Sequence, residues 1–195
     1  MNTWHGYTGK ILDVDLTSTI ISDTELDRSL AENYMGGILY RQGDLEQAMS
    51  HTRTAMSYWE EIGYSWGVAA ALSNLSILES DSGNFGAAMN SIKRSLALRQ
   101  EMGDVDGVAI TNHNLGHMAL DQGDPIEAEQ HYRNSLAISI PYQMNHHAAN
   151  SLIGLAKSLL YQEKIDDAKD TLEEGLMLAQ EINAPDVIAE AKCTD

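Results

Sequence analysis

The sequence predicts an all-α solenoid of about three and a half helix pairs, with a short β-hairpin at its amino end. Three observations predict it. The stretch Gly43-Asp44-Leu45-Glu46-Gln47-Ala48 returns forty residues on as Gly83-Asn84-Phe85-Gly86-Ala87-Ala88, then as Gly123-Asp124-Pro125-Ile126-Glu127-Ala128. A weaker copy, Glu163-Lys164-Ile165-Asp166-Asp167-Ala168, closes the series. A fixed period of this length marks stacked repeats. Between the copies, apolar residues recur three and four apart, which gives each helix a stripe wide enough to face two neighbours. The chain is 43% hydrophobic with three Pro and one Phe, so its core is built from Leu, Ile, Ala and Met, and it favours helices over sheets.

The first 24 residues are a different kind of sequence, and the array is expected over 25–195. Apolar and polar residues alternate from Leu12 to Leu16, Ile20 and Ile21 begin a second strand, and Thr17-Ser18-Thr19 lies between as the turn, which predicts a hairpin over 9–24. Asp23 or Thr24 then caps a helix with Leu26, Leu30, Tyr34 and Met35 on its apolar side. Gly36-Gly37 costs that helix on the order of 1–2 kcal/mol against Ala and predicts fraying or a kink.

Repeats are expected over about 25–62, 64–102, 104–141 and 144–182, with a partial helix over 185–195. The stripes are Leu45, Ala48, Thr52, Met56 and Trp59, then Ala69, Leu72, Leu75 and Leu78, then Ala88, Ile92 and Leu96. They continue with Val108, Leu115 and Met118, with Ala128, Tyr132 and Leu136, with Ala149, Leu152, Leu155 and Leu159, and with Ala168, Leu172 and Leu176. Gly63 and Gly103 end helices. Asp124-Pro125 is a cap followed by Pro at the first helical position, and Pro185 plays the same part for the last helix. Pro141 ends its helix near Ile140. Val187, Ile188 and Ala191 cover only part of the last repeat, which predicts an array cut short or one that self-associates end to end through an uncapped helix.

Net charge narrows the function. At −17 the chain opposes nucleic-acid backbones and anionic membrane surfaces, both of which need clustered Lys and Arg. The single Cys193 excludes an internal disulfide and suggests a reducing compartment. No stretch approaches the ~20 apolar residues of a membrane span. Met1 to His5 lacks the start of a secretory signal, so a cytoplasmic location is expected.

The repeated positions resemble tetratricopeptide repeats. The family's large–small pair in the first helix falls on Met35-Gly36, Leu75-Ser76, Leu115-Gly116 and Leu155-Ala156. Its second-helix Ala falls on Ala48, Ala88, Ala128 and Ala168, and its large site on Thr52, Ile92, Tyr132 and Leu172. The later small site falls on Ala55, Ser95, Ser135 and Gly175. The period is 40 where the family usually has about 34, so both helices are longer, as in repeats of bacterial regulators and signalling ATPases. A second resemblance covers residues 6–37: Gly6-Tyr7-Thr8-Gly9-Lys10-Ile11-Leu12-Asp13-Val14-Asp15-Leu16-Thr17, Glu25-Leu26-Asp27 and Leu30-Ala31-Glu32-Asn33-Tyr34-Met35-Gly36-Gly37. It is similar to the amino terminus of aldehyde ferredoxin oxidoreductases and stops where this chain continues Ile38-Leu39-Tyr40. That family's iron–sulfur cluster needs about four thiolates, so the lone Cys193 leaves the fragment inactive. Gly6-Tyr7-Thr8-Gly9-Lys10 has the wrong spacing for a phosphate loop.

The tetratricopeptide resemblance implies a concave groove, lined by the first helices, that receives a protein or peptide segment. Carried over position by position, Asn33, Ser73, His113 and Ile153 form one row of it, with Ile77, His117 and Lys157 one turn on. Leu120 lies beyond, and Tyr161 and Asp121 sit at the rim. The face lacks the basic set with which some members clamp a peptide carboxylate. Spacing lets His113 and His117 share a metal ion, but two ligands make a weak site, so they are read as groove residues and no metal is expected. His146 and His147 are adjacent and are read as unpaired surface residues. Asn74 and Asn114 fit either a contact to peptide backbone or a hydrogen bond between helices. No catalytic motif stands out. The reading is a non-enzymatic protein- or peptide-binding module within a larger regulatory or signalling protein, without cofactor. The alternative is an inactive fragment or accessory of a tungsten–pterin oxidoreductase.

Overall fold

Every twenty residues the backbone turns the same corner. The left-handed conformation recurs at Gly43, Gly63, Gly83, Gly103 and Gly123 with φ between 69° and 82°, then at Gln143, Glu163 and Asn183 with φ between 52° and 61°. At each corner the left-handed residue's amide donates to the carbonyl three residues back, and the next amide donates to the carbonyl five residues back. At Gly123 these are Gly123 N to Leu120 O at 2.9 Å and Asp124 N to Ala119 O at 2.9 Å. This paired closure satisfies carbonyls that a helix end leaves orphaned. The residue that completes it also caps the following helix, so no linker is needed.

In this computed structural model, residues 10–15, 20–25 and 28–191 are described. The backbone of Lys10–Asp15 (β1) pairs antiparallel with Ile20–Glu25 (β2), Lys10 opposite Glu25. The expected turn Thr17-Ser18-Thr19 and Leu26 lie outside the described residues. Asp23 and Thr24, expected as helix caps, belong to β2 instead, because the pairing continues to Glu25. The helices are α1 Arg28–Arg41, α2 Leu45–Glu61, α3 Ser65–Asp81, α4 Phe85–Met102, α5 Val105–Asp121, α6 Pro125–Ser139, α7 Asn145–Tyr161, α8 Ile165–Glu181 and α9 Pro185–Ala191.

Caps follow the sequence. Asp44 accepts from Gln47 N at 3.1 Å, Asp104 from Gly107 N at 2.8 Å and Asp124 from Glu127 N at 3.0 Å. Each satisfies one of the first-turn amides, and its charge suits the positive end of the helix dipole. α6 stops at Ser139, as Pro141 requires, because a proline ring there forbids continuation. α1 instead runs unbroken through Gly36 and Gly37, contrary to the expected fraying or kink. Packing explains it: a Cβ on Gly36 would stand 2.7 Å from Thr52 Oγ1 of α2, so glycine is what lets the two helices approach.

The chain divides into two compact units, Met1–Met89 and Asn90–Asp195. In the first, α1 packs on α2 and α2 on α3. In the second, α6 sits against α5 and α7, while α8 sits against α7 and α9. α5 also touches α7, and α7 touches α9, so these odd-numbered helices form one layer with α6 and α8 behind it. Positions forty apart share one fate. Ala48, Ala88, Ala128 and Ala168 are buried, as are Thr52, Ile92, Tyr132 and Leu172, and Leu75, Leu115 and Leu155. A carboxylate braces the α6–α8 side: Glu129 accepts from Gln162 Nε2 at 2.9 Å, Lys164 Nζ at 3.0 Å and Arg133 Nε at 2.9 Å. Burial alone would raise the Glu129 carboxyl, but those hydrogen bonds and the Lys164 charge outweigh it and hold it at about 2.

The corner geometry makes a stability prediction. Glu163 is an exposed residue held in a conformation that costs an L side chain about 1–2 kcal/mol, partly offset by glycine's greater chain entropy. Glu163→Gly is expected to stabilise the protein by about 0.5–1 kcal/mol, and Gly103→Ala to destabilise it by about 1 kcal/mol. Urea unfolding of both variants checks this; a loss of stability in Glu163→Gly would be the wrong sign.

Candidate functional site

A cavity of about 250 Å³ opens on the odd-helix layer of the second unit. α5 contributes His113, His117, Leu120 and Asp121, which lie one turn apart along one helix face. α7 contributes Gly154, Lys157 and Tyr161, and α9 contributes Glu190. Tyr132 reaches through from α6 to form the floor.

Two glycines make room for that tyrosine. A Cβ on Gly116 would stand 2.9 Å from the Tyr132 ring, and one on Gly154 would overlap the ring outright. Tyr132 is 1% exposed, and its ring meets the His113 ring edge-on at a centroid distance of 5.5 Å. Aromatic pairs favour this arrangement because ring edges are positive and faces negative. His113 Nδ1 lies 3.1 Å from Ser151 Oγ, which in turn lies 3.0 Å from Ser135 Oγ. A buried polar chain thus runs from α5 through α7 to α6 and fixes the imidazole, leaving Nε2 as its remaining polar atom.

Electrostatics separates the floor from the mouth. Burial and the neighbouring His117 push the His113 imidazole down to about 4, so it is neutral near pH 7. Burial, with Glu190 and Asp121 nearby, raises the Tyr132 phenol, which therefore keeps its proton. At the mouth, Lys157 Nζ bonds Glu190 Oε1 at 2.7 Å and His117 Nδ1 lies 3.1 Å from Asp121 Oδ2. Among the described residues, no group of three or more His, Cys, Asp or Glu is placed to hold a metal ion.

Six residues expected in the groove or at its rim therefore meet in one cavity: His113, His117, Leu120, Asp121, Lys157 and Tyr161. Ile153 does not line it. Its side chain is fully buried with Leu172, Ala179 and Val187, because its place on α7 faces the α8 and α9 contact rather than the open layer. In the first unit Ser73 is buried, Ile77 is 36% exposed, and Asn33 Oδ1 accepts from Asn74 Nδ2 at 3.3 Å. Asn74 thus bridges α1 and α3, which favours the hydrogen bond between helices for that residue. His146 and His147, read as unpaired, stand edge to face at 6.0 Å, and His146 Nε2 reaches Asp186 at 3.3 Å. Both stand in the first turn of α7, where Asp186 of α9 comes close enough to engage His146.

A family model described as tetratricopeptide repeat matches residues 27–101 and 107–181. The chain belongs to the tetratricopeptide repeat family. Solved structures share the fold. Aspartyl phosphate phosphatase F from Bacillus subtilis superposes with a TM-score of 0.79 at 14% identity, covering 86% of this chain and 45% of that one. A Rap protein complexed with competence and sporulation factor gives 0.78 at 15% identity, covering 85% and 47%. A kinesin light chain from P. anserina, with nearly identical repeats of the same type, gives 0.67 at 13% identity, covering 86% of each chain. The chain spans about half the length of the first two. No curated protein matches the sequence. None of these matches supports the likeness of residues 6–37 to aldehyde ferredoxin oxidoreductases, and residues 6–9, 16–19 and 26–27 of that stretch lie outside the described residues.

Within the tetratricopeptide register, sequence reasoning placed Tyr132 as a core aromatic and did not see it as the floor of a cavity. It passed over Gly154 and Glu190. A sign was present: Gly154 stands where the preceding copies carry Asn74 and Asn114, so a side chain is missing from that layer in one repeat.

Two outcomes follow from this geometry. Gly154→Ala forces a methyl into the Tyr132 ring and is expected to cost about 1–3 kcal/mol, most of it recovered in Gly154→Ala/Tyr132→Leu. Thermal or urea unfolding of the double-mutant cycle measures the coupling, and additive losses would contradict the overlap. For His113, a folded value near 4 lies below the ordinary 6.5, so the unfolded chain binds the extra proton between these values. Stability from this residue is full above about pH 6.5 and is lost as pH falls towards 4. The urea midpoint of His113→Gln is therefore expected to fall less steeply over that window than that of the native chain.

Proposed function

We propose that this chain is a non-enzymatic binding module that holds a protein or peptide segment against the layer of α5 and α7, as part of a regulatory or signalling protein. The observation that carries the reading is the cavity itself. The odd-helix layer of the second unit carries a recess with a fixed polar floor, and the mouth residues Tyr161 and His117 stand 71% and (by side chain) 64% exposed. A concave recess with oriented polar groups is where a ligand gains both affinity and orientation. A solved neighbour of the same fold is a complex with competence and sporulation factor, which supports a role in recognition. Among the described residues no helix is long and apolar enough to cross a membrane.

The test begins with a displayed library of random twelve-residue peptides, selected on the full chain. Tyr161→Ala and His117→Ala are expected to weaken the selected peptides about tenfold or more each, a loss of about 1.4 kcal/mol, with the melting temperature nearly unchanged because both side chains are exposed. Recovery of no peptide, or of peptides indifferent to both changes, would remove the proposal.

A further inference from the structure

The cavity has a preference built into it, and this inference rests on the binding role proposed above. Tyr132 is almost wholly buried, its hydroxyl has no hydrogen-bond partner among the described residues, and its side chain lines the cavity. Open to a cavity with room for water, the hydroxyl can be hydrated; an apolar guest that displaced that water would strand it at a cost of about 1–3 kcal/mol, which a guest that bonds it avoids. His113 Nε2 stands on the same floor, since Nδ1 is engaged by Ser151. The guest must therefore carry hydrogen-bonding groups at its far end.

Charge decides which guest. The walls carry two carboxylates, Asp121 and Glu190, against one ammonium, Lys157. Lys157 is already committed to Glu190 at 2.7 Å, so an entering carboxylate would meet net negative charge and no free cation. An entering cation meets the reverse. Glu190 already holds Lys157 and Asp121 holds His117, but a carboxylate accepts more than one hydrogen bond. The cation can therefore join either pair, lay its methylene stem along Leu120 and pass the exposed ring of Tyr161, where a cation is attracted to the aromatic face. A net charge of −17 steers basic partners towards the molecule as a whole. We propose that the cavity floored by His113 and Tyr132 receives one basic side chain, lysine or arginine, of the segment bound on this layer.

The experiment uses the peptides selected above. Every Lys and Arg in them is changed singly to Met and to Glu, and binding to the full chain is measured by fluorescence anisotropy at 150 mM salt, roughly a physiological ionic strength. One basic position is expected to lose about tenfold with Met and more with Glu. In Glu190→Gln and Asp121→Asn that Lys-to-Met difference is expected to shrink to within about twofold, and Tyr132→Phe to weaken only the peptide carrying the basic residue. Glu173→Gln removes the same charge from α8, outside the cavity lining, and is expected to leave the difference intact. Peptides that bind without any sensitive basic position, or whose preference falls equally in Glu173→Gln, would overturn the inference while leaving the binding role standing. Selection of no peptide would overturn both.

Discussion

Each helix of this protein is held in step with the next by one hydrogen-bonded corner. The amide that closes the end of one helix belongs to the residue that opens the following one, so the chain has no slack between elements. Helix length, the direction of return and the side that faces inwards are set together by this closure. Burial follows from it: residues forty apart present the same face to equivalent neighbours, and the small residues among them permit close approach of the axes. Loops of independent length would let the stripes drift out of register, and the apolar faces would no longer meet.

Five corners use glycine, and their spacing made the architecture legible from composition and period alone. The last three use Gln143, Glu163 and Asn183, which carry no such signal. The fourth repeat was nonetheless readable, because Ala168 and Leu172 keep the apolar period after the glycine has gone. Pro141 spoke clearly, since a proline ring has one meaning inside a helix. Gly36-Gly37 misled. Propensity treats a glycine pair as weakness, but at Gly36 the missing side chain is what the neighbouring Thr52 requires, a tertiary fact that one helix cannot disclose.

The site was legible along a helix and not across helices. Residues a turn apart, such as His113 and His117, could be placed on one face by counting. Tyr132 could not, because it enters from the helix behind, through a gap that exists only where Gly116 and Gly154 lie opposite each other. Ile153 failed for the same reason in reverse: its position in the repeat suggests the open face, but the approach of α8 and α9 buries it. Periodicity gives the row on which a residue stands; depth depends on what packs over it.

α9 is held chiefly by Ala184, Val187 and Ala191 against α7 and α8, with Asp186 and Glu190 reaching His146 and Lys157. Among the described helices it packs on α7 and α8, so its place in the unit rests on these contacts. It nevertheless lends the cavity one of two wall carboxylates. Anything that grips Glu190 must hold the whole helix down, and its amides should then exchange with deuterium more slowly. Occupancy and local order are in that sense one equilibrium seen from two ends, and the recess carries its own gauge of whether it is filled.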